Sequence, residues 1–455
     1  MGDNGKRVVR QVLRRFLGLQ EKPSIYMLDF HCFDHPESWM RTVPEIIAHG
    51  RAIGVPEHAI RKQEEIYAGD TLGVGPVSAY APGIIRTPPD TSIAGCLEET
   101  RAVLSQCASR AMEAAGVSPQ EVDFVLTTCT VFNPMPSMSA MIMHEFGMRS
   151  DCQNYSLSGQ GCSAGVMLIS LAKDLLTANP GKVALVVAHE NITSSCYLGD
   201  ELEFMAANVV FRSGGAAAVL SSRPRDRRRA KYQLLHTVRV NRAADTDAHT
   251  CIRGIDTDRG GYGVYLNTPV VKTAAASAIG ANLRRLGPLV LPLSELIKAA
   301  KCKDPEFVPD FSTAFDHVCI HPGARFVIEK IRKTLQFGEK AAQPSHAALH
   351  RFGNTSGAST YYILAHLESR IGIKKGDKIL QLGMGSGFKC CSAVWKALRP
   401  IDTKHPCWEF RACQPEPTPW RKEIAAKGEN GELNLVEREA SADLAVLTSP
   451  LKPEE

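Results

Sequence analysis

Residues 122–130, VDFVLTTCT, and residues 159–165, GQGCSAG, with the apolar run VMLISLAKDLL that follows at 166–176, decide the fold. The first stretch reads as a buried strand and the second as a small-residue turn opening a helix. Cys162 stands 33 positions after Cys129. The same spacing returns downstream. The strand FDHVCI (315–320) leads into His321, and 33 positions later Asn354 stands in FGNTSGAS (352–359), which opens the helix STYYILAHLE. Two strand-turn-helix units of equal spacing predict two similar halves, each presenting a polar residue from a turn of small residues.

Outward from these units the texture stays that of an α/β protein: a helix through Ala115, the turn FNPMP (132–136), and a strand in KVALVVAHE (182–190). The basic stretch SSRPRDRRRAK (221–231) is expected to connect the halves, with solvated arginines or a coenzyme phosphate contact as its two readings. The first half is thus placed at 24–222 and the second at 231–400. Residues 36–89 mix helical pieces with Gly and Pro, as an irregular cap over a ligand site does. A C-terminal extension, 401–455, turns to Pro, Glu and Lys with weak periodicity and reads as docked or disordered.

The 455 residues are 44% hydrophobic, enough for a large core. A net charge of +5 is too small to imply a nucleic-acid partner, although it favours anionic ligands such as a coenzyme phosphate. The 14 cysteines form no CxxC pair and no Cys/His metal spacing, which predicts reduced thiols in an intracellular compartment and no metal site. No run approaches the ~18 apolar residues of a membrane span. Residues 6–19, KRVVRQVLRRFLGL, put Val9, Val12, Leu13 and Phe16 on one face of a basic amphipathic helix within the N-terminal segment 1–23. Such a helix packs on its own protein or lies on an anionic membrane surface.

Three residues carry the chemistry. Cys162, at a helix N-terminus among glycines, has the positive end of a macrodipole to stabilise a thiolate and open backbone N–H groups to hold an oxyanion. His321 follows a strand's carboxyl end, where α/β proteins place their chemistry, and its imidazole suits a partner for the thiolate and a donor to an enolate. Asn354 offers an amide that donates without titrating, or serves only as a helix cap. His317, His346 and His350 read as structural, with His317 on the strand face of His321 and so a candidate to support it. Gly385, Ser386, Gly387 and Phe388, after the strand DKILQLG, fit a backbone-lined wall or oxyanion donor beside the cysteine better than a nucleotide-phosphate cradle.

With these residues assembled, the chain resembles the plant-type 3-ketoacyl-CoA synthases, condensing enzymes of very-long-chain fatty acid elongation related to the chalcone synthases. The resemblance runs from about Ser24 to Pro400 through SIYMLDFHC, FNPMPSMSAMI, GCSAG, HENIT, FRSGGAAAVLSSR, LGPLVLPLSE, CIHPGAR, LHRFGNTSGAS and GSGFKCCSAVWKALR. It implies a five-layered αβαβα thiolase-like fold with two pseudo-equivalent halves, a homodimer, and Cys162, His321 and Asn354 as the catalytic positions. It further implies that an acyl group passes from coenzyme A to Cys162 and that malonyl-CoA loses carbon dioxide. The enolate, stabilised by His321 and Asn354, then attacks the acyl-enzyme and yields 3-ketoacyl-CoA. Coenzyme A thioesters enter as substrates and no cofactor is implied.

The sequence departs from the family in three places. The two N-terminal membrane helices of plant synthases are not seen, so the expectation is a cytoplasmic protein, one held at the endoplasmic reticulum membrane through residues 6–19, or a shortened chain. Cys391 stands where the family has Asn, and Ser158 and Gln160 alter the turn before the nucleophile, which bears on chain-length preference. Two alternatives accompany the first reading: a type III polyketide synthase extending repeatedly, and a catalytically silent acyl-CoA-binding homologue.

Overall fold

The structure, a computed structural model, describes residues 23–68, 72–257, 262–302 and 307–409. The predicted helix at 6–19 and residues 410–455 of the C-terminal extension lie outside the described residues.

Among the described residues, nine strands form one mixed sheet. They are β1 (Tyr26–Cys32), β2 (Phe124–Cys129), β3 (Gln153–Ser158), β4 (Val183–Glu190), β5 (Gly214–Ser221), β6 (Tyr232–Asn241), β7 (His317–Ile320), β8 (Lys378–Gly385) and β9 (Lys389–Ala397). Their order across the sheet is β7-β8-β9-β6-β1-β5-β4-β2-β3. Read outward from the middle, β1-β5-β4-β2 and β6-β9-β8-β7 follow one plan: antiparallel, antiparallel, then parallel. In the first half β3 adds an edge strand parallel to β2. The halves join where β1 pairs with β6 through only Tyr26–Gln233 and Met27–Tyr232. The equal spacing read in the sequence is therefore the trace of a repeated topology.

All eight residues of β4 and all eight of β5 are buried, because both faces of the sheet are covered. The covering helices are α1 (Ile93–Ala115), α2 (Ala164–Ala178), α3 (Thr268–Val290), α4 (Arg325–Thr334) and α5 (Ser359–His366). Helix α2 touches β2 and β4 of one half and β8 and β9 of the other, and α5 likewise reaches β1, β5, β7 and β8. The two half-sheets thus face each other across α2 and α5. Val166, Ile169 and Leu176 of α2 share one buried cluster with Tyr361 and Ile363 of α5 and Trp395 of β9. Helix α1 covers the outer face of the first half, and α3 and α4 that of the second, which completes five layers. Residues 161–178, an apolar window long enough by composition to cross a membrane, contain this central helix.

The central helices meet at two glycines. A Cβ on Gly165 would lie 1.9 Å from the carbonyl oxygen of Gly357, and nothing there can yield except backbone. Gly165→Ala is therefore expected to cost about 3 kcal/mol or more through overpacking between the halves. Urea denaturation measures this, and a loss below about 1 kcal/mol would show that the contact relaxes easily.

The junction of the halves is charged but paired. Lys231, 1% exposed, meets Asp29 at 2.6 Å and Glu368 at 2.8 Å, and Glu368 also accepts from Tyr232 at 2.6 Å. Four of the five connecting arginines are exposed, as the sequence implies; Arg223 is half-buried and bonds Glu121 at 2.9 Å, and Arg229 bonds Asp226 at 2.8 Å. Residues 37–85 form the cap, with Met40–Thr42 paired antiparallel to Val77–Ala79 and helices Val43–Ala52 and Glu57–Ala68 between them.

Candidate active site

The two pseudo-equivalent turns converge. Cys162 occupies a single turn, Gly161–Ser163, directly before α2, and keeps partial exposure through which a substrate can reach it. Asn354 lies in the matching turn before α5. Its Oδ1 accepts the backbone N–H of Ser356 at 2.8 Å, which leaves the amide Nδ2 to face the sulfur, 3.9 Å from Sγ. The capping role and the chemical role expected of Asn354 are thus served by opposite ends of one amide. Its backbone is fixed as well, with its N–H bonded to Val210 at 2.8 Å and its carbonyl accepting from Arg212 at 3.0 Å.

His321 follows β7, and its N–H bonds the carbonyl of Leu382 on β8, three residues before Gly385. It is 3% exposed, and its Nδ1 is buried without a partner. Burial alone lowers its pKa to about 3, so the ring is neutral at physiological pH. His317 does not support it: its Nε2 meets Asp377 at 3.0 Å, at the strand's opposite end. His346 pairs with Glu329 at 2.8 Å.

The glycine-rich turn after β8 closes over the nucleophile. A Cβ on Gly385 would fall 2.4 Å from the backbone N of Cys162, and one on Gly161 would fall 2.4 Å from the N of Ser386. Gly385 and Ser386 therefore pack backbone to backbone against the turn that carries the sulfur. Gly387 has a φ of +118° and borders Lys389, while Phe388 buries its ring in the outer core of the second half, which leaves its backbone as the part that faces the turn. Cys391, the residue that departs from the family pattern, is buried close to the side chain of Ser163, which follows the nucleophile.

One group was missed. Glu190, 4% exposed at the end of β4, accepts the N–H groups of Thr130 (2.9 Å) and Val131 (3.1 Å) and the thiol of Cys129 (3.3 Å) on Oε1. Its Oε2 accepts the Ser356 hydroxyl at 2.7 Å. It ties the turn after β2 to the turn holding Asn354. Ser356 sits at φ +53°, a strained conformation for a residue with a side chain. The only sequence signal was an acid closing an otherwise apolar strand in HENIT.

The thiol itself corrects the expectation of a resting thiolate. Burial first, with the Glu190 carboxylate adding to it, pushes Cys162 up to about 12 against the opposing hydrogen bonds of Ser356 and Asn354. A helix terminus contributes about 1 kcal/mol or less, whereas full desolvation of an ionisable group reaches about 4–7 kcal/mol, so burial wins. Thiol and imidazole both rest neutral. Alkylation of Cys162 by iodoacetamide is accordingly expected to accelerate about tenfold per pH unit from about pH 7 to about pH 9 without a plateau. A rate flat across that range would show a thiolate-imidazolium pair instead.

The sequence matches the family described as FAE1/type III polyketide synthase-like protein over residues 17–303, and the 3-oxoacyl-[acyl-carrier-protein] synthase III C-terminal family over 312–397. The 3-ketoacyl-CoA synthase 2 of Arabidopsis thaliana is 39% identical over 391 residues, covering 83% of this chain and 74% of that one. The chain belongs to the 3-ketoacyl-CoA synthase family. The 3-ketoacyl-CoA synthase 9 of the same plant is 38% identical, over 83% and 75% of the two chains. The C-terminal type III polyketide synthase domain of Steely1 from Dictyostelium superposes with a TM-score of 0.66 at 16% identity, over 82% of this chain and 99% of that domain, which fixes the fold as thiolase-like. A 3-ketoacyl-CoA synthase is a condensing enzyme of the acyltransferase type, and the paired turns of this family member are its candidate centre.

Proposed function

We propose that this synthase condenses an acyl-CoA primer with malonyl-CoA in a decarboxylating Claisen reaction of fatty acid elongation. The convergence of the Asn354 amide on the Cys162 sulfur, from two turns related by the repeated topology, supports this reading most strongly. Cys162 attacks the primer's thioester carbonyl; its proton passes to neutral His321 and then to the departing coenzyme A thiolate, leaving an acyl-cysteine. Malonyl-CoA then loses carbon dioxide. The electron pair of the broken C–C bond forms the enolate, whose oxygen His321 and Asn354 stabilise, and its α-carbon attacks the acyl-cysteine. 3-Ketoacyl-CoA departs and the Cys162 thiolate regains a proton. The wall at Gly385 and Ser386 suits the tetrahedral oxyanion and the passing pantetheine arm.

Mass spectrometry of products from acyl-CoA and labelled malonyl-CoA tests this. One two-carbon extension is expected; several extensions would mark a polyketide synthase, and no product with no carbon dioxide release would mark a silent acyl-CoA-binding protein. A homodimer is part of the proposal. The outer strand β3 has one unpaired edge with most of its side chains exposed, and Met135 nearby is 97% exposed, features a two-fold partner would cover. Light scattering giving a monomer would remove that part. Location in the cytoplasm or against the endoplasmic reticulum membrane through residues 6–19 completes the reading.

A further inference from the structure

Between the cap and helix Leu202–Val210 lies a cavity that opens to solvent. Ile46, Ile84, Ile192 and Phe211 give it apolar walls. It abuts the reaction centre, since Ile192 follows Glu190 by two positions and Phe211 bridges to Asn354. Its lining also includes Arg212, 1% exposed, and Ser213, 1% exposed.

Arg212 is an unusual buried cation. Its Nη1 donates to the carbonyls of Asn208 (2.9 Å) and Phe211 (2.6 Å), its Nη2 to the Tyr67 hydroxyl (3.1 Å), and its guanidinium lies 4.6 Å from the centre of the Tyr80 ring. Among the described residues its Nε has no partner, nor has the Ser213 hydroxyl. Among the described residues no carboxylate pairs with it, whereas Lys231, equally buried, has two. A buried charge without a counter-ion is costly, and a guanidinium pairs readily with the planar carboxylate that an aliphatic chain can carry.

We propose that this cavity binds an aliphatic chain carrying a carboxylate, with Arg212 as the counter-ion and the apolar wall as the seat of the chain. Two sources supply that chemistry: an acyl-CoA primer whose far end bears a carboxylate, and a free fatty acid. The first rests on the condensing function above, while the binding does not.

Calorimetric titration of the full chain with decanoate and with methyl decanoate is the test. The acid is expected to bind about tenfold tighter than the ester. Arg212→Met should reduce that preference to about twofold or less, and Arg212→Lys should retain part of it. Equal affinity in the unaltered protein, or a preference surviving Arg212→Met, would overturn the proposal. A measurement without any variant stands beside it: the 13C resonance of carboxyl-labelled decanoate should titrate at lower pH when bound than when free, and an upward displacement would mean a protonated head group in an apolar slot and defeat the idea. The coenzyme A half-thioester of decanedioic acid then identifies the source. Elongation in preference to decanoyl-CoA supports a primer's chain end, and decanoate binding without that preference supports a free fatty acid. Binding that persists in a protein giving no condensation product separates this inference from the function on which its first source rests.

Discussion

Cys162→Ala is expected to lower condensation by about 10⁴-fold or more, because it removes the sulfur proposed to hold the acyl group between the two half-reactions. The change deletes one sulfur from a partly exposed turn, so folding should be nearly unaffected, and an unchanged denaturation midpoint would separate lost chemistry from lost structure. Neighbouring thiols do not substitute. Cys129 is buried with its sulfur on Glu190, and burial raises Cys391 to about 11. Residual 3-ketoacyl product within tenfold of the unaltered enzyme would show that the acyl group travels without this sulfur.

Asn354→Asp should separate the two halves of the reaction. The amide's Oδ1 is committed to the Ser356 N–H, so Asp keeps the turn and loses only the donor facing the sulfur. Malonyl-CoA decarboxylation is expected to fall by about 10²–10³-fold, the usual cost of losing one donor to a developing oxyanion. Acyl loading should fall less, by about tenfold, since the new carboxylate adds to the burial and Glu190 charge already opposing thiol ionisation. His321→Ala is expected to follow the same pattern. Carbon dioxide release and acyl-protein mass, measured on the same samples, distinguish the steps. Equal losses in both would assign Asn354 a general structural role.

Much of this architecture was legible because a duplicated fold repeats its spacing. The intervals from Cys129 to Cys162 and from His321 to Asn354 predicted two similar halves, each presenting a polar residue from a turn of small residues, and β2 and β7 occupy matching places in the repeated topology. What stayed hidden depends on distant parts of the chain. Nothing local says that β1 joins β6 at the middle of the sheet or that Glu190 reaches Ser356, 166 positions away. The helix terminus at Cys162 suggested a lowered pKa, whereas burial raises it to about 12, since local position reveals the macrodipole but not the surroundings of the sulfur. Arg212 was quoted within FRSGGAAAVLSSR and carried no sign that it would be buried without a carboxylate.

The central claim is that one sulfur carries the acyl chain, and intact-protein mass after incubation with acyl-CoA in the absence of malonyl-CoA tests it most directly. The predicted result is a single added acyl group, mapped by peptide fragmentation to Cys162, absent from Cys162→Ala and discharged when malonyl-CoA is supplied. An acyl group found on another residue, or none on an enzyme that still forms 3-ketoacyl-CoA, would contradict it.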